Sequence, residues 1–369
     1  MTDDLELAAP HILALSAYEP GKPEEELRRE LGLERIVKLA SNENPHGPSP
    51  RAIEAVRADP LMLHRYPDPR GHDLRHALAS HHGVEADEIT LGNGSNELID
   101  LICRVFASRG DHVVYGHPSF PCYRIGSVAQ QLEATAVPLR EGVHWNVDDL
   151  LEAIGTDTKL LFVANPNNPT GTYIAQADLE RLVRETPEHV LVVVDEAYVE
   201  YVDADDFIEA LALRSLRRRM AVLRTFSKAY ALAALRVGYV VAPSEAVHHL
   251  NRLRAPFNVG TLGQRAALMA LNDQAHLQQS VAATVRERQA LTEALRADGL
   301  TVVPSQANFV LVDVGRSGRA VYDALLQEGV IVRPMAPPLE DCIRVTVGLP
   351  EENRVFLDAL RRMLKDSRA

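Results

Sequence analysis

Leu191-Val192-Val193-Val194-Asp195-Glu196-Ala197-Tyr198 decides the fold. A run of branched apolar side chains with no alternating polar face reads as a strand buried on both sides, the pattern of a parallel sheet covered by helices. The same texture recurs at Asp111 to Tyr115, Leu160 to Ala164 and Met220 to Arg224, with helical stretches such as Glu97 to Phe106 and Gln176 to Glu185 in between. The alternation predicts an α/β domain on a mainly parallel sheet with crossover helices.

Outward from this core the texture changes. Beyond about Ala255, long helical stretches around Leu262 to Leu295 precede strands at Asn308 to Val312 and Ile343 to Val347, which predicts a second, smaller α+β domain. The first ~40 residues are punctuated by Pro10, Pro20, Gly21 and Pro23 and predict an arm packed on another part of the molecule. The expected organisation is an arm over residues 1–40 joining the small domain, a large domain over 41–256 and a small domain over 257–369.

With 369 residues, 46% of them hydrophobic, the chain can bury a core larger than one domain needs. Its net charge of −12, from 39 basic and 51 acidic residues, argues against a nucleic-acid partner and still allows a local basic pocket for a small anion. No stretch approaches the ~20 apolar residues of a spanning helix, and Met1 to Ala9 carries acids where a secretory signal carries bases, so a cytoplasmic protein without membrane contact is expected. Cys103, Cys122 and Cys342 are far apart and lack CxxC spacing, which predicts no disulfide framework and no metal site.

Polar groups gather where the apolar runs end. Arg224-Thr225-Phe226-Ser227-Lys228-Ala229-Tyr230 follows one run and leads to Arg236. A lysine there sits where open α/β sheets place ligands, and lowered basicity by desolvation or neighbouring cations suits it to nucleophilic imine formation. Thr225, Ser227 and Arg236 offer two hydroxyls and a guanidinium to a phosphate. Asp195 ends a second buried run and needs a cationic or hydrogen-bonding partner; a helix N-cap role also accounts for it. After a third run, Asn165-Pro166-Asn167-Asn168-Pro169-Thr170-Gly171 fixes a rigid turn that can present the Asn168 amide. Gly92-Asn93-Gly94-Ser95-Asn96-Glu97 opens a helix, where free N–H groups bind phosphate, and Glu97 in place of a third glycine weakens a dinucleotide reading.

Together with Ser41-Asn42-Glu43-Asn44-Pro45, Arg65-Tyr66-Pro67, Pro118-Ser119-Phe120 and Ile343-Arg344-Val345-Thr346-Val347-Gly348, these segments resemble the fold-type I, pyridoxal-5′-phosphate-dependent aminotransferases of class I/II, from about Ala40 to Val347. The resemblance implies a large cofactor-binding domain with a mainly parallel seven-stranded sheet between helices, plus the smaller α+β domain. It implies that Lys228 holds pyridoxal 5′-phosphate as a Schiff base and moves protons, that Asp195 pairs with the pyridine nitrogen, and that Tyr198 and Asn168 contact the ring oxygen. Gly94, Ser95, Asn96, Thr225, Ser227 and Arg236 would cradle the phosphate, and Phe120, where relatives often carry Tyr, would stack on the ring. Tyr66 would reach the phosphate of a neighbouring subunit, which implies a homodimer with shared active sites. Tyr18, Asn44, Arg333 and Arg344 would meet substrate. Within the family the likeness is strongest to the branch that interconverts L-histidinol phosphate plus 2-oxoglutarate with imidazole-acetol phosphate plus L-glutamate in histidine biosynthesis. An aminotransferase for phenylalanine or tyrosine and a threonine-phosphate decarboxylase would use the same cofactor residues.

Overall fold

The computed structural model describes residues 8–17, 21–33, 35–58 and 64–366. In chain order the strands are β1 (Val37–Lys38), β2 (Ile89–Gly92), β3 (His112–His117), β4 (Glu133–Pro138), β5 (Thr158–Ala164), β6 (Leu191–Asp195), β7 (Met220–Thr225), β8 (Gly238–Val241), β9 (Thr301–Val303), β10 (Phe309–Asp313), β11 (Val330–Ile331), β12 (Arg333–Pro334) and β13 (Cys342–Thr346). Seven of them form one sheet in the order β2-β8-β7-β6-β5-β3-β4. Neighbours in it are parallel except at β8, which runs antiparallel to both β2 and β7.

Period-two geometry sorts the side chains of the central strands. Leu160, Phe162, Leu191, Val193, Ala221 and Leu223 lie on one face beneath the helices Ser95–Phe106 and Ser244–Leu253. Leu161, Val163, Val192, Val194, Met220 and Val222 lie on the other, against Leu179, Leu182 and Val183 of the helix Gln176–Glu185. These side chains are buried, each contributing roughly 1.5–3 kcal/mol for a Val or Leu. The alternation explains why the runs look apolar throughout in sequence. It also assigns Asp195 and Thr225 to the first face and Glu196 and Arg224 to the second.

The strands read from the sequence coincide with β3, β5, β6, β7, β10 and β13 to within a few residues. Strand β4 was not anticipated because it is an edge strand with a mostly exposed Glu133–Pro138 pattern, and β2 and β8 are short. The helical stretch after residue 261 is two helices, Thr261–Leu271 and Gln274–Ala297, parted where Asp273 accepts from the His276 N–H as an N-cap.

A second, antiparallel sheet has the order β12-β13-β10-β9. Val310, Val312 and Val345 from it share a core with Leu291 and Leu295 of the long helix and with Phe356 and Leu360 of the helix Pro350–Asp366. Strand β1 pairs in parallel with β11, and Val37 and Leu39 enter this same core, so the segment before residue 41 is fastened to the smaller body. Past residue 257 the chain still packs on the large sheet. Ala266, Ala267 and Ala270 sit in one cluster with Leu74, Leu78 and Phe226, against the large sheet. The crossing is made by the helix Gln274–Ala297, whose Leu277 belongs to that cluster and whose Leu291 belongs to the other. No helix among the described residues is long and apolar enough to cross a membrane.

Candidate active site

A cavity of about 270 Å³ opens at the C-terminal ends of β5, β6 and β7, where parallel sheets gather ligands because their loops and helix N-termini converge there. Ser95, Asn96, Phe120, Asn168, Asp195, Tyr198, Thr225, Ser227, Lys228, Arg236, Arg333 and Arg344 all line it. Four segments distant in sequence thus meet because β5, β6 and β7 are neighbours and the loop after β2 is parallel to theirs.

Lys228 sits in the loop between β7 and β8, its Nζ donating to the Ser41 carbonyl at 3.1 Å and lying 5.8 Å from the Tyr198 ring centroid. Desolvation, with the positive charge of Arg344 next, lowers its amine from the usual 10.5 to about 7; Glu43 opposes the shift. Asp195 Oδ2 accepts from the Tyr123 hydroxyl at 2.9 Å, and its Oδ1 is buried with no hydrogen-bond partner among the described residues. Burial pushes this carboxyl up to about 6, and the Tyr123 hydrogen bond holds it back from going further. An unfinished buried carboxylate oxygen facing a cavity calls for a donor or cation supplied from the cavity.

At one end of the cavity the helix Ser95–Phe106 begins without a side-chain cap, leaving N–H groups directed outward. Its preceding Gly94 has φ +74°, and a Cβ there would stand 2.3 Å from the Arg236 guanidinium, so only glycine lets the arginine close over the helix start. Arg236 Nη1 donates to Ser227 Oγ at 3.2 Å, and the Thr225 and Ser227 hydroxyls lie 3.0 Å apart beside it. Helix N-terminus, guanidinium and hydroxyls together form a cradle for a phosphate dianion.

The turn after β5 is held from within. Asn167 accepts from Ser119 Oγ at 2.7 Å and donates to the Pro118 carbonyl at 3.0 Å and to Thr170 Oγ1 at 2.9 Å. Its neighbour Asn168 faces the cavity, where Oδ1 accepts from Arg344, which also donates to the Ala40 carbonyl at 2.8 Å. Arg333 and Arg344 line both this cavity and an adjoining one of about 430 Å³.

One expected contact lies elsewhere. Asn44 donates to the Ala229 carbonyl at 2.9 Å and to Ser280 Oγ at 2.8 Å, bracing the lysine loop against the long helix, and does not line the cavity. Tyr66 is 81% exposed and stacks on Phe257 with centroids 4.5 Å apart, away from the cavity of its own chain. Tyr18 lies outside the described residues. Two residues that sequence reasoning missed are Tyr123 and Asn42. Tyr123, stacked on Phe162 at 5.0 Å at the start of the helix Cys122–Ala129, reads as core. Asn42, whose Nδ2 donates to the Tyr198 hydroxyl at 2.9 Å, gave no signal beyond its place beside Asn44.

Pyridoxal phosphate fits this donor set: the open Asp195 oxygen can take the proton of a pyridinium, the Gly94 cradle a phosphate, and Lys228 an aldehyde carbon.

The family described as aminotransferase class I and II matches residues 34–360 of the chain. A histidinol-phosphate aminotransferase 2 from Pseudomonas aeruginosa is 46% identical over 367 residues, 99% of each chain. The histidinol-phosphate aminotransferase 2 of Hydrogenovibrio crunogenus is 45% identical over 360 residues, 97% of this chain and 96% of that one. The crystal structure of histidinol-phosphate aminotransferase from Sinorhizobium meliloti in complex with pyridoxal-5′-phosphate superposes with a TM-score of 0.89 at 29% identity, covering 98% of this chain and 100% of that one.

Proposed function

The chain belongs to the class I and II aminotransferases, pyridoxal-phosphate enzymes, and from that membership we propose that it moves an amino group between L-histidinol phosphate and 2-oxoglutarate in histidine biosynthesis. The observation that carries the reading is the convergence of a lysine of lowered basicity, a half-satisfied buried carboxylate and an uncapped helix start closed by Arg236, all in one cavity. Likeness of about 45% over almost the whole length to enzymes named for histidinol phosphate supports the substrate.

Pyridoxal phosphate, when bound, supplies an electron sink and a carrier for the amino group. Lys228, neutral in good part near pH 7, would hold it through Nζ, and the same amine is placed to move a proton at the amine-bearing carbon of the substrate. Asp195 Oδ1 would keep the ring nitrogen protonated, with Tyr123 on Oδ2 holding the carboxylate in place and favouring its ionised form. Tyr198 and Asn168 would meet the ring oxygen, Phe120 would cover the ring face, and Ser95, Asn96, Thr225, Ser227 and Arg236 would hold the phosphate. Arg344 and Arg333 bind the anionic end of the substrate, a phosphate monoester in one half-reaction and a carboxylate in the other. The exposed Tyr66 and Phe257 pair supports a homodimer in which Tyr66 of one protomer reaches the cofactor phosphate of the other. The enzyme would work in the cytoplasm.

The test is a single half-reaction. The pyridoxal-phosphate form is mixed with one amino donor and the absorbance change to the aminated form is followed. Histidinol phosphate and glutamate should convert it fast and phenylalanine slowly. Equal or faster conversion by phenylalanine, or release of carbon dioxide with no need for 2-oxoglutarate, would overturn the substrate assignment.

A further inference from the structure

We propose that Asn42 is a positioning residue: its side-chain amide, tied to the four-stranded sheet, orients the Tyr198 hydroxyl so that Tyr198 donates toward the ring oxygen of the cofactor. This rests on the placement of Tyr198 at that oxygen under the proposed function.

Asn42 is 1% exposed and adopts φ +53°, a conformation that residues other than glycine rarely hold and that asparagine tolerates best. Backbone held there points to a local demand. The demand is visible in its hydrogen bonds. The Asn42 N–H donates to Thr346 Oγ1 at 2.9 Å, and that hydroxyl returns its own proton to Asn42 Oδ1 at 3.2 Å. Asn308 Nδ2 donates to the Asn42 carbonyl at 3.1 Å. With Oδ1 engaged by Thr346, the Nδ2 end is turned to Tyr198, whose oxygen accepts from it at 2.9 Å. An amide N–H₂ only donates, so the Tyr198 proton cannot go to it and is directed to another acceptor.

Thr346 and Arg344 are two residues apart on β13 and therefore share a face. Arg344 donates to the Ala40 carbonyl, two residues before Asn42. The strand that bears the proposed substrate arginine thus also holds the amide that sets the tyrosine. Donation from Tyr198 drains charge from the ring oxygen and lowers the proton affinity of the Lys228 nitrogen joined to the cofactor. The other charged or titratable groups acting on that nitrogen are Arg344, Glu43, Arg236 and Asp195, none of which the variants below remove.

The experiment titrates the visible absorption band of the holoenzyme with pH and measures cofactor dissociation by equilibrium dialysis, with melting temperatures alongside. Tyr198→Phe should raise the midpoint by about one unit. Asn42→Asp, which turns the donor into an acceptor that captures the tyrosine proton, should raise it at least as far. Asn42→Gly keeps the backbone conformation, adds no charge and should raise it by less. Thr346→Val should loosen the amide, moving the midpoint in the same direction. If Tyr198→Phe moves the midpoint and both Asn42 variants stay at the wild-type value, whatever their melting temperatures, the inference is overturned while the function stands. If Tyr198→Phe itself leaves the midpoint in place, the assignment of Tyr198 falls and the inference with it.

Discussion

Asp195 and Glu196 are consecutive carboxylates at the end of β6, and they lead opposite lives. Glu196, on the face away from the cavity, takes Arg224 Nε at 3.0 Å and Nη2 at 2.7 Å and accepts the Ala210 N–H at 2.6 Å. Asp195 takes the Tyr123 hydroxyl on Oδ2, and its Oδ1 is without a hydrogen-bond partner among the described residues. The same split divides Arg224 from Thr225 on β7, since Arg224, 5% exposed, also binds Glu209, whereas Thr225 lines the cavity. Burial raises both carboxyls toward protonation, but among the described residues Glu196 is salt-bridged to Arg224 whereas Asp195 feels the charge of Lys228 only through space. Glu196 is satisfied where it stands; the open oxygen of Asp195, which lines the cavity, is a place for a ligand.

The largest test of that division is Lys228→Ala. Turnover should fall by at least about 10⁴-fold, since proton transfer and covalent anchoring are lost together. The fold, read by thermal melting, should stay intact. Asp195→Asn comes next, with a loss of roughly 10²–10⁴-fold in kcat because a neutral amide cannot hold a pyridinium proton. Its apo form should melt at or above the wild-type temperature at pH 8. The sign follows from the raised carboxyl, at about 6 in the folded chain against 3.8 free: the ionised form is disfavoured by folding, so stability falls as pH rises through that window and removing the charge relieves it. Arg224→Ala should do the reverse, costing about 3–5 kcal/mol in denaturant unfolding by stranding buried Glu196, with kcat per folded molecule within a few-fold of wild type. If Arg224→Ala abolished turnover in a protein of unchanged stability, the two faces would not be separable. The smallest effect is a rate profile. Capture of pyridoxal phosphate by the apo-protein should rise with pH to a midpoint near 7, because the Lys228 ammonium must lose its proton and is lowered to about that value. A midpoint near 10 would show a solvated lysine instead.

Much of this was legible in the sequence because buried parallel strands declare themselves as apolar runs, and the polar residues that follow them must land at one sheet edge. Lys228, Asp195 and Asn168 stand out that way, and they line one cavity. What escaped has physical reasons. Tyr123 is wholly buried and stacked on Phe162, so nothing local separates its hydroxyl from a core tyrosine. In Ser41-Asn42-Glu43-Asn44 the choice between two asparagines depends on a positive φ and on contacts with Thr346 and Ser280 hundreds of residues away. The edge strand β4 lacks a buried face on most positions, and the division between the bodies follows helix packing that composition does not show.

Thr225 and Gly238 face each other in the register of β7 and β8, and the Phe226 N–H donates to the Val237 carbonyl at 2.9 Å. Lys228 and Arg236 therefore hang from the two arms of a single clasp, closed without help from the four-stranded sheet. Warming that frees β9, β10, β12 and β13 first would take away Arg344 while the clasp still gripped its prosthetic group. Such an enzyme would fall silent before it became empty, and would resume work on cooling without having to recapture anything. Amide hydrogen exchange would report it as protection lost in β10 and β13 at temperatures where β7 and β8 remain closed.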